Sequence, residues 1–339
     1  MDAVVFFSVA LPLARPGIFA GLALVLMETI SDFGTVDYFA IETLTLGVFN
    51  VWLGMNSLSG AAQISSVLFI FVIVLLTVEY LARRRQRFHE ISSGQNMLQS
   101  ETLSSSKKLM CYFICIVPIF LGFVIPVLIL LNFVLSGFSI IDFQQIFKTA
   151  FTSISLAFFG AFFVMLTSVL MIVISKYKSN NFQKSLIFLA SCGYALPGTI
   201  LAVGIVIFIG WLNQIINFQM SYVTGGFIVL IFAYTTRFLA VGNAAIRSGV
   251  LKIHPNAMDA SKTMGVGFFK SINKVIVPLI FTNILVGGIL VFVDILKELP
   301  ITLLLRPFNF ETLATYVYQY ACLLYTSDAA DEGLGVDLG

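Results

Sequence analysis

The side chains with chemical potential in this chain fall into two groups. One is acidic: Asp32, Asp37, Glu42, Glu298 and Glu311, each set among apolar and aromatic residues. A carboxylate in or beside a membrane is costly, so it is paired or it meets a cation. A structural ion pair with Lys297 or Arg306 is the first expectation; transient contact with a cation or binding of another protein are the others. The second group is the polar, cationic stretch MDASKTMGVGFFKSINKVIVP, from Met258 to Pro278. Its small residues Ala257, Ala260 and Ser261 offer a helix face that fits a cleft on a partner. Gly265 ends or bends that helix, and Pro278 sets the angle at which the chain continues. The alternative is an ordinary amphipathic connector. The remaining reactive types carry less. His89 and His254 lie in cationic stretches away from the acids, and no Gly-x-x-x-x-Gly-Lys-Ser/Thr loop is present to hold a nucleotide. Cys111, Cys115 and Cys192 sit in apolar runs, where a thiol behaves as a small hydrophobe. No metal ligand set is assigned.

The elements that must position these groups are membrane helices. Hydrophobic residues make up 59% of the 339, charged residues 11%, and 34 are Phe, with a mean hydropathy of +0.99. A water-soluble surface cannot be assembled from that remainder. Seven apolar stretches approach the roughly 20 residues of a spanning helix: Leu13 to Ile30, Ile64 to Leu81, Met110 to Leu131, Thr149 to Ser175, Leu186 to Trp211, Val223 to Leu239 and Leu279 to Leu296. They are too long for barrel strands, so an all-α polytopic transmembrane bundle is expected. Within the fifth stretch, Pro197 removes a backbone donor and disfavours helix at Leu196, which predicts a break of the kind that lines substrate paths or merely kinks a helix.

Orientation follows from Lys and Arg, which favour cytoplasmic loops. With Arg15 inside and the segments alternating, 16 of the 19 cationic residues fall inside, Arg237 and Arg247 among them, and only Lys148, Lys297 and Arg306 fall outside. The net charge of +2 carries little by itself, and no nucleic-acid partner is expected.

A shift of 266 residues lays the beginning of the chain on its end, with identities at Val9, Pro12, Leu13, Ile18, Gly21, Leu24 and Val25. Apolar helices match easily by accident, so the polar positions decide. Glu28 falls on Asp294 and Asp32 on Glu298; with three residues more in the second copy, Glu42-Thr43-Leu44 falls on Glu311-Thr312-Leu313. An internal duplication explains acids at three matching depths. The expected organisation is a remnant of a first half in residues 1–91, a Ser-rich linker in 92–106, a second half in 107–321 with its docking loop in 242–278, and a foreign or unstructured tail in 322–339. The first copy lacks what precedes the loop in the second, and an eighth helix is expected after the seventh. Leu323 to Glu332 resembles translated adapter sequence, so no function is assigned from Cys322 onward.

The loop's spacing is similar to the EAA loop of type I ABC importer permeases, whose pattern is Glu-Ala-Ala, three residues, Gly, nine residues, Ile-x-Leu-Pro. Here Asp259-Ala260-Ser261, Gly265 and Val275-Ile276-Val277-Pro278 keep every spacing, with Asp for Glu, Ser for the second Ala, and Val for Ile and Leu. Val9-Ala10-Leu11-Pro12 matches the tail of a second such loop. The stretches around Asp32 and from Leu296 to Ala314 resemble, more narrowly, the fused two-half permeases of ferric-iron importers. That resemblance implies a multi-pass protein of a bacterial inner membrane and a periplasmic substrate-binding protein outside. It also implies an ATPase dimer inside, which would bind the ATP and Mg; this chain would be no enzyme and hold no cofactor. The coupling residues implied are Ala257, Asp259, Ala260, Ser261, Gly265, Pro278 and Pro12. The translocation path or outer mouth would draw on Asp32, Asp37, Glu42, Pro197, Glu298 and Glu311. The same machine carrying thiamine, a polyamine or a phosphonate is the nearest alternative, and an ion-coupled carrier or membrane enzyme is the alternative of another class.

Overall fold

The computed structural model describes residues 4, 6–84, 104–136, 142–177, 180–216, 226–254 and 256–324. His89, the linker up to residue 103 and the tail from residue 325 lie outside the described residues. Every regular element among the described residues is helical. In order these are α1 (Leu11–Ser31), α2 (Gly34–Tyr38), α3 (Leu44–Phe49), α4 (Leu58–Arg84), α5 (Ser105–Ile119), α6 (Ile125–Ser136), α7 (Phe143–Tyr177) and α8 (Asn181–Ser191). There follow α9 (Gly198–Ile216), α10 (Phe227–Leu251), α11 (Ala257–Thr263), α12 (Phe268–Ser271), α13 (Val277–Leu279), α14 (Phe281–Leu296), α15 (Pro300–Leu305) and α16 (Leu313–Tyr318).

Two compact units are present. The smaller, residues 87–147, holds α5 and α6, joined through a π-helical turn at Phe120–Val124 into one apolar rod of 32 residues. None of the residues of this rod is buried, and most of its large side chains, Leu109 and Leu135 among them, are exposed, as suits a surface meant for lipid.

The larger unit, residues 1–86 with 148–339, packs α7, α9, α10, α14 and α15 around one core that includes Leu156, Val164, Tyr234, Ile246, Val291 and Ile301. Five described helices are long and apolar enough to span a membrane, or six if α12 to α14, bent by 73°, count as one crossing. The remaining expected stretch, Leu13 to Ile30, is helical as α1.

Two expected segments have other bounds. The run from Leu186 to Trp211 divides: α8 gives way to a 3₁₀ turn at Cys192–Ala195, and α9 starts afresh at Gly198, one residue after Pro197. The segment expected to end at Leu239 continues to Leu251. Its polar residues do not stop it, because Arg237 and Asn243 lie on the buried face with Tyr234 and Ile246.

The duplication recurs in several backbone features at the offsets read from the sequence, although α1 is continuous where α13 and α14 are separated by a bend. A π-helical turn at Phe6–Ala10 precedes Pro12 in the first turn of α1, as one at Ile272–Ile276 precedes Pro278 in the first turn of α13. The short helix α2 corresponds to α15. After each, one non-glycine residue takes the left-handed conformation, Ala40 at φ 53° and Asn309 at φ 61°. This conformation costs roughly 1–2 kcal/mol, and its recurrence at matched positions points to a common turn. Then Thr43 and Thr312 each cap the following helix, accepting from the amides of Leu46 and Thr315. The shared Glu-Thr-Leu sequence thus yields a shared cap. Replacing Thr312 with Ala is expected to lower stability by about 1 kcal/mol, the usual worth of a side-chain N-cap. Thermal unfolding in detergent checks this, with Thr43→Ala as the companion.

Candidate functional site

The two copies meet at a cleft of about 540 Å³. The last turn of α1 brings Glu28, and the chain just beyond it brings Asp32; the segment between α14 and α15 brings Lys297, Glu298 and Pro300; α10 brings Arg237. Residues that correspond in the repeat are therefore neighbours in space. Lys297 Nζ lies 3.2 Å from Glu28 Oε1 and 3.2 Å from Asp294 Oδ1, so one cation joins the matched acids. Tyr194 donates its hydroxyl to the other Glu28 oxygen at 3.4 Å.

The second matched pair, Asp32 and Glu298, lines the same cleft with different surroundings. Asp32 is half-buried and accepts the Thr35 amide at 3.3 Å. Glu298 is buried, with Oε1 3.5 Å from Arg237 Nη1, both side chains being 7% exposed. It also accepts the Ile301 amide at 3.3 Å, and its carbonyl accepts the Thr302 hydroxyl at 2.8 Å. The Thr302 hydroxyl is hydrogen-bonded in turn to Tyr234. Burial raises the Glu298 carboxyl above its ordinary range, opposed by the charge of Arg237. At Lys297 burial acts to lower the pKa, but the hydrogen bonds and charges of Glu28 and Asp294 outweigh it, and the ammonium is held above its usual value.

Close approach makes this possible. The α-carbon of Gly198, the first residue of α9, faces the buried pair so tightly that a Cβ there would stand 2.5 Å from Arg237 Nη1 and 2.7 Å from Glu298 Oε1. The break at Pro197, itself buried, therefore places the start of α9 against the ion pair.

The other acids lie elsewhere. Asp37 accepts the Tyr318 hydroxyl at 2.7 Å beside the aromatic cluster of Phe33, Phe49 and Tyr318. Glu42 is exposed, and Glu311 lies 3.7 Å from Arg306. The expected ion pairing with Arg306 is found at Glu311, whereas Lys297 takes Glu28 and Asp294 instead. Arg237 is a correction: its topological assignment to the cytoplasmic side fails, because it is held inside α10 and buried against Glu298. The signal that could have found it is a lone arginine within an apolar run, since such residues face the interior and pair. Among the described residues, no three His, Cys, Asp or Glu side chains are grouped closely enough to hold a metal ion.

The loop from Ala257 to Pro278 forms a second region. Helix α11 ends in a left-handed glycine: Gly265 has φ 74°, and the Val266 amide reaches back to the Ser261 carbonyl at 3.1 Å, a Schellman closure. Ala260 is exposed, while Ser261 turns inward and donates to Ser271 at 2.8 Å, tying α11 to α12. Ser261 thus belongs to the loop's own packing and not to a free face. Ala257 packs against the core. The Asp259 side chain lies outside the described part.

No protein-family profile matches the chain. Among curated proteins it is similar to the Fe(3+)-transport system permease protein FbpB 2 of Haemophilus influenzae, with 23% identity over 331 residues, 96% of this chain and 62% of that protein. The chain thus spans less than two thirds of this relative's length. Its apolar helices and this relationship make it a multi-pass inner-membrane protein, and over nearly its whole length it is similar to a ferric-iron transport permease, in agreement with the resemblance carried by the loop and the repeat.

Proposed function

We propose that this chain forms the translocation path of an ABC importer for ferric iron, transporting without catalysing a reaction of its own. A periplasmic binding protein delivers the cation, and a cytoplasmic ATPase dimer, which binds the ATP and Mg, docks on the loop from Ala257 to Pro278. The observation that carries the reading is the cleft between the repeats, lined by the acids Glu28, Asp32 and Glu298 and by Lys297 and Arg237, with Asp294 pairing to Lys297. Sites at the interface of repeats, beside a broken helix, are where alternating access exposes a substrate to each side in turn. Asp32 and Glu298 belong to this path together with Pro197; Asp37 and Glu311 are engaged with Tyr318 and Arg306, and Glu42 stands exposed at the outer mouth. Pro12 and Pro278 start the two corresponding helices.

Glu28 is half exposed and Asp32 half-buried, so both can be neutralised without stranding a buried charge. In the complete transporter, Glu28→Gln combined with Asp32→Asn is expected to lower uptake of radiolabelled iron about fivefold, the effect of ~1 kcal/mol, at unchanged abundance in the membrane. Unchanged uptake would refute the path assignment.

A further inference from the structure

Arg237 holds more hydrogen-bonding capacity than its surroundings use. A guanidinium carries five N–H donors and stays charged at every accessible pH. This one is buried and lines the cleft, yet neither Nε nor Nη1 has a hydrogen-bond partner. Its ion-pair neighbour Glu298 stands 3.5 Å from Nη1, beyond good hydrogen-bond reach, and spends the same oxygen on the Ile301 amide. Buried donors are satisfied almost everywhere in proteins, and each exception asks for a cause. The Thr199 hydroxyl, next to Gly198 at the start of α9, is likewise buried without a partner. It belongs to the first turn of a 19-residue helix, whose N-terminal end carries partial positive charge. The cleft is therefore lined by a fixed cation with unpaired, buried donors, and the first turn of α9 packs directly behind that cation at Gly198, while the acids Glu28 and Asp32 are the more exposed.

We infer that the cleft binds a small oxyanion of the carboxylate, carbonate or phosphate class, held by Arg237 and the first turn of α9. The planar guanidinium matches such anions through two parallel N–H bonds. The cleft then takes two kinds of ligand, an oxyanion at its floor and a cation at its acidic rim. The inference rests on the transport reading only for the second of these; anion binding by itself does not depend on what is carried.

The test uses the full chain purified in detergent without the ATPase, which binds phosphate itself. Phosphate, bicarbonate and citrate are added separately at millimolar concentration and constant ionic strength, with chloride as the reference, and unfolding temperature and binding of radiolabelled phosphate are followed. At least one oxyanion should raise the unfolding temperature by a few degrees above chloride. Arg237→Lys, which keeps the charge and loses the fork, should weaken that binding at least tenfold. The charge-neutral double variant Arg237→Met with Glu298→Met should abolish it. No oxyanion-specific shift in the unaltered chain, indicating a cleft filled only by water, overturns the proposal. So does undiminished binding in both variants, which would place the anion elsewhere. Anion binding as expected, with iron uptake unaffected by the Glu28 and Asp32 substitutions, would retain this site and remove the transport reading instead.

Discussion

Replacing Glu298 with Ala is expected to destabilise the protein by about 3–5 kcal/mol, the cost of removing one member of a buried ion pair. The expectation is sharper than the general rule because the two partners are unequal. Glu298, left without Arg237, can take up a proton, and burial already raises its carboxyl. Arg237, left without Glu298, has no such escape, since a guanidinium does not deprotonate in proteins. It would remain a buried charge with its Nε and Nη1 still unpaired. Arg237→Leu is therefore expected to cost less than Glu298→Ala, and the apolar double substitution less than their sum. Thermal unfolding of the four proteins in the same detergent measures this cycle. Equal single effects that add in the double variant would mean that the pair is not coupled in the folded protein.

Gly265→Val, introduced into the complete transporter, is expected to cut co-purification of the ATPase by a factor of 5–30, the effect of 1–2 kcal/mol. Nothing stands within 4 Å of a Cβ at this position, so crowding is not the reason. The backbone is: at φ 74°, a β-branched side chain meets the following carbonyl. Helix α11 would lose its closure onto the Ser261 carbonyl, and the Ala260 face would shift relative to α12. Gly265→Asn provides the control, because Asn accepts the left-handed conformation far better than Val. ATPase retained by the Val variant, or lost equally in both, would remove the loop's geometry from the docking argument.

Several features of this fold were legible in local sequence because they depend on local physics. Apolar runs of spanning length must become helices where backbone groups cannot reach water. Pro197 had to interrupt its run, and Gly265, placed after a short amphipathic segment, had to end it. The repeat was legible because the two copies share polar residues at matched depths, and equal sequences such as Glu42-Thr43-Leu44 and Glu311-Thr312-Leu313 make equal caps.

The extent of α10 was not legible. Hydropathy reads Arg237 and Asn243 as an approach to water, while the helix turns both toward the protein interior. Whether a polar residue ends a membrane helix or is buried in it depends on the neighbours it finds, and those come from distant parts of the chain.

The same holds for the acids. Sequence composition made Asp32, Asp37, Glu42, Glu298 and Glu311 a single set, since all are carboxylates in apolar surroundings. Tertiary packing divided them: Asp32 and Glu298 face one cleft, Asp37 meets Tyr318, Glu311 meets Arg306, and Glu42 remains exposed. By itself, then, the sequence determined that this is a helical membrane protein with a repeated set of elements and a polar loop closed at Gly265. Only the tertiary structure decided that Arg237 joins Glu298 and that Lys297 bridges Glu28 to Asp294. Helix, break and cap are set by residues a few positions apart, whereas a charge takes its partner from whatever the packing brings within about 4 Å, where its electrostatic energy is decided.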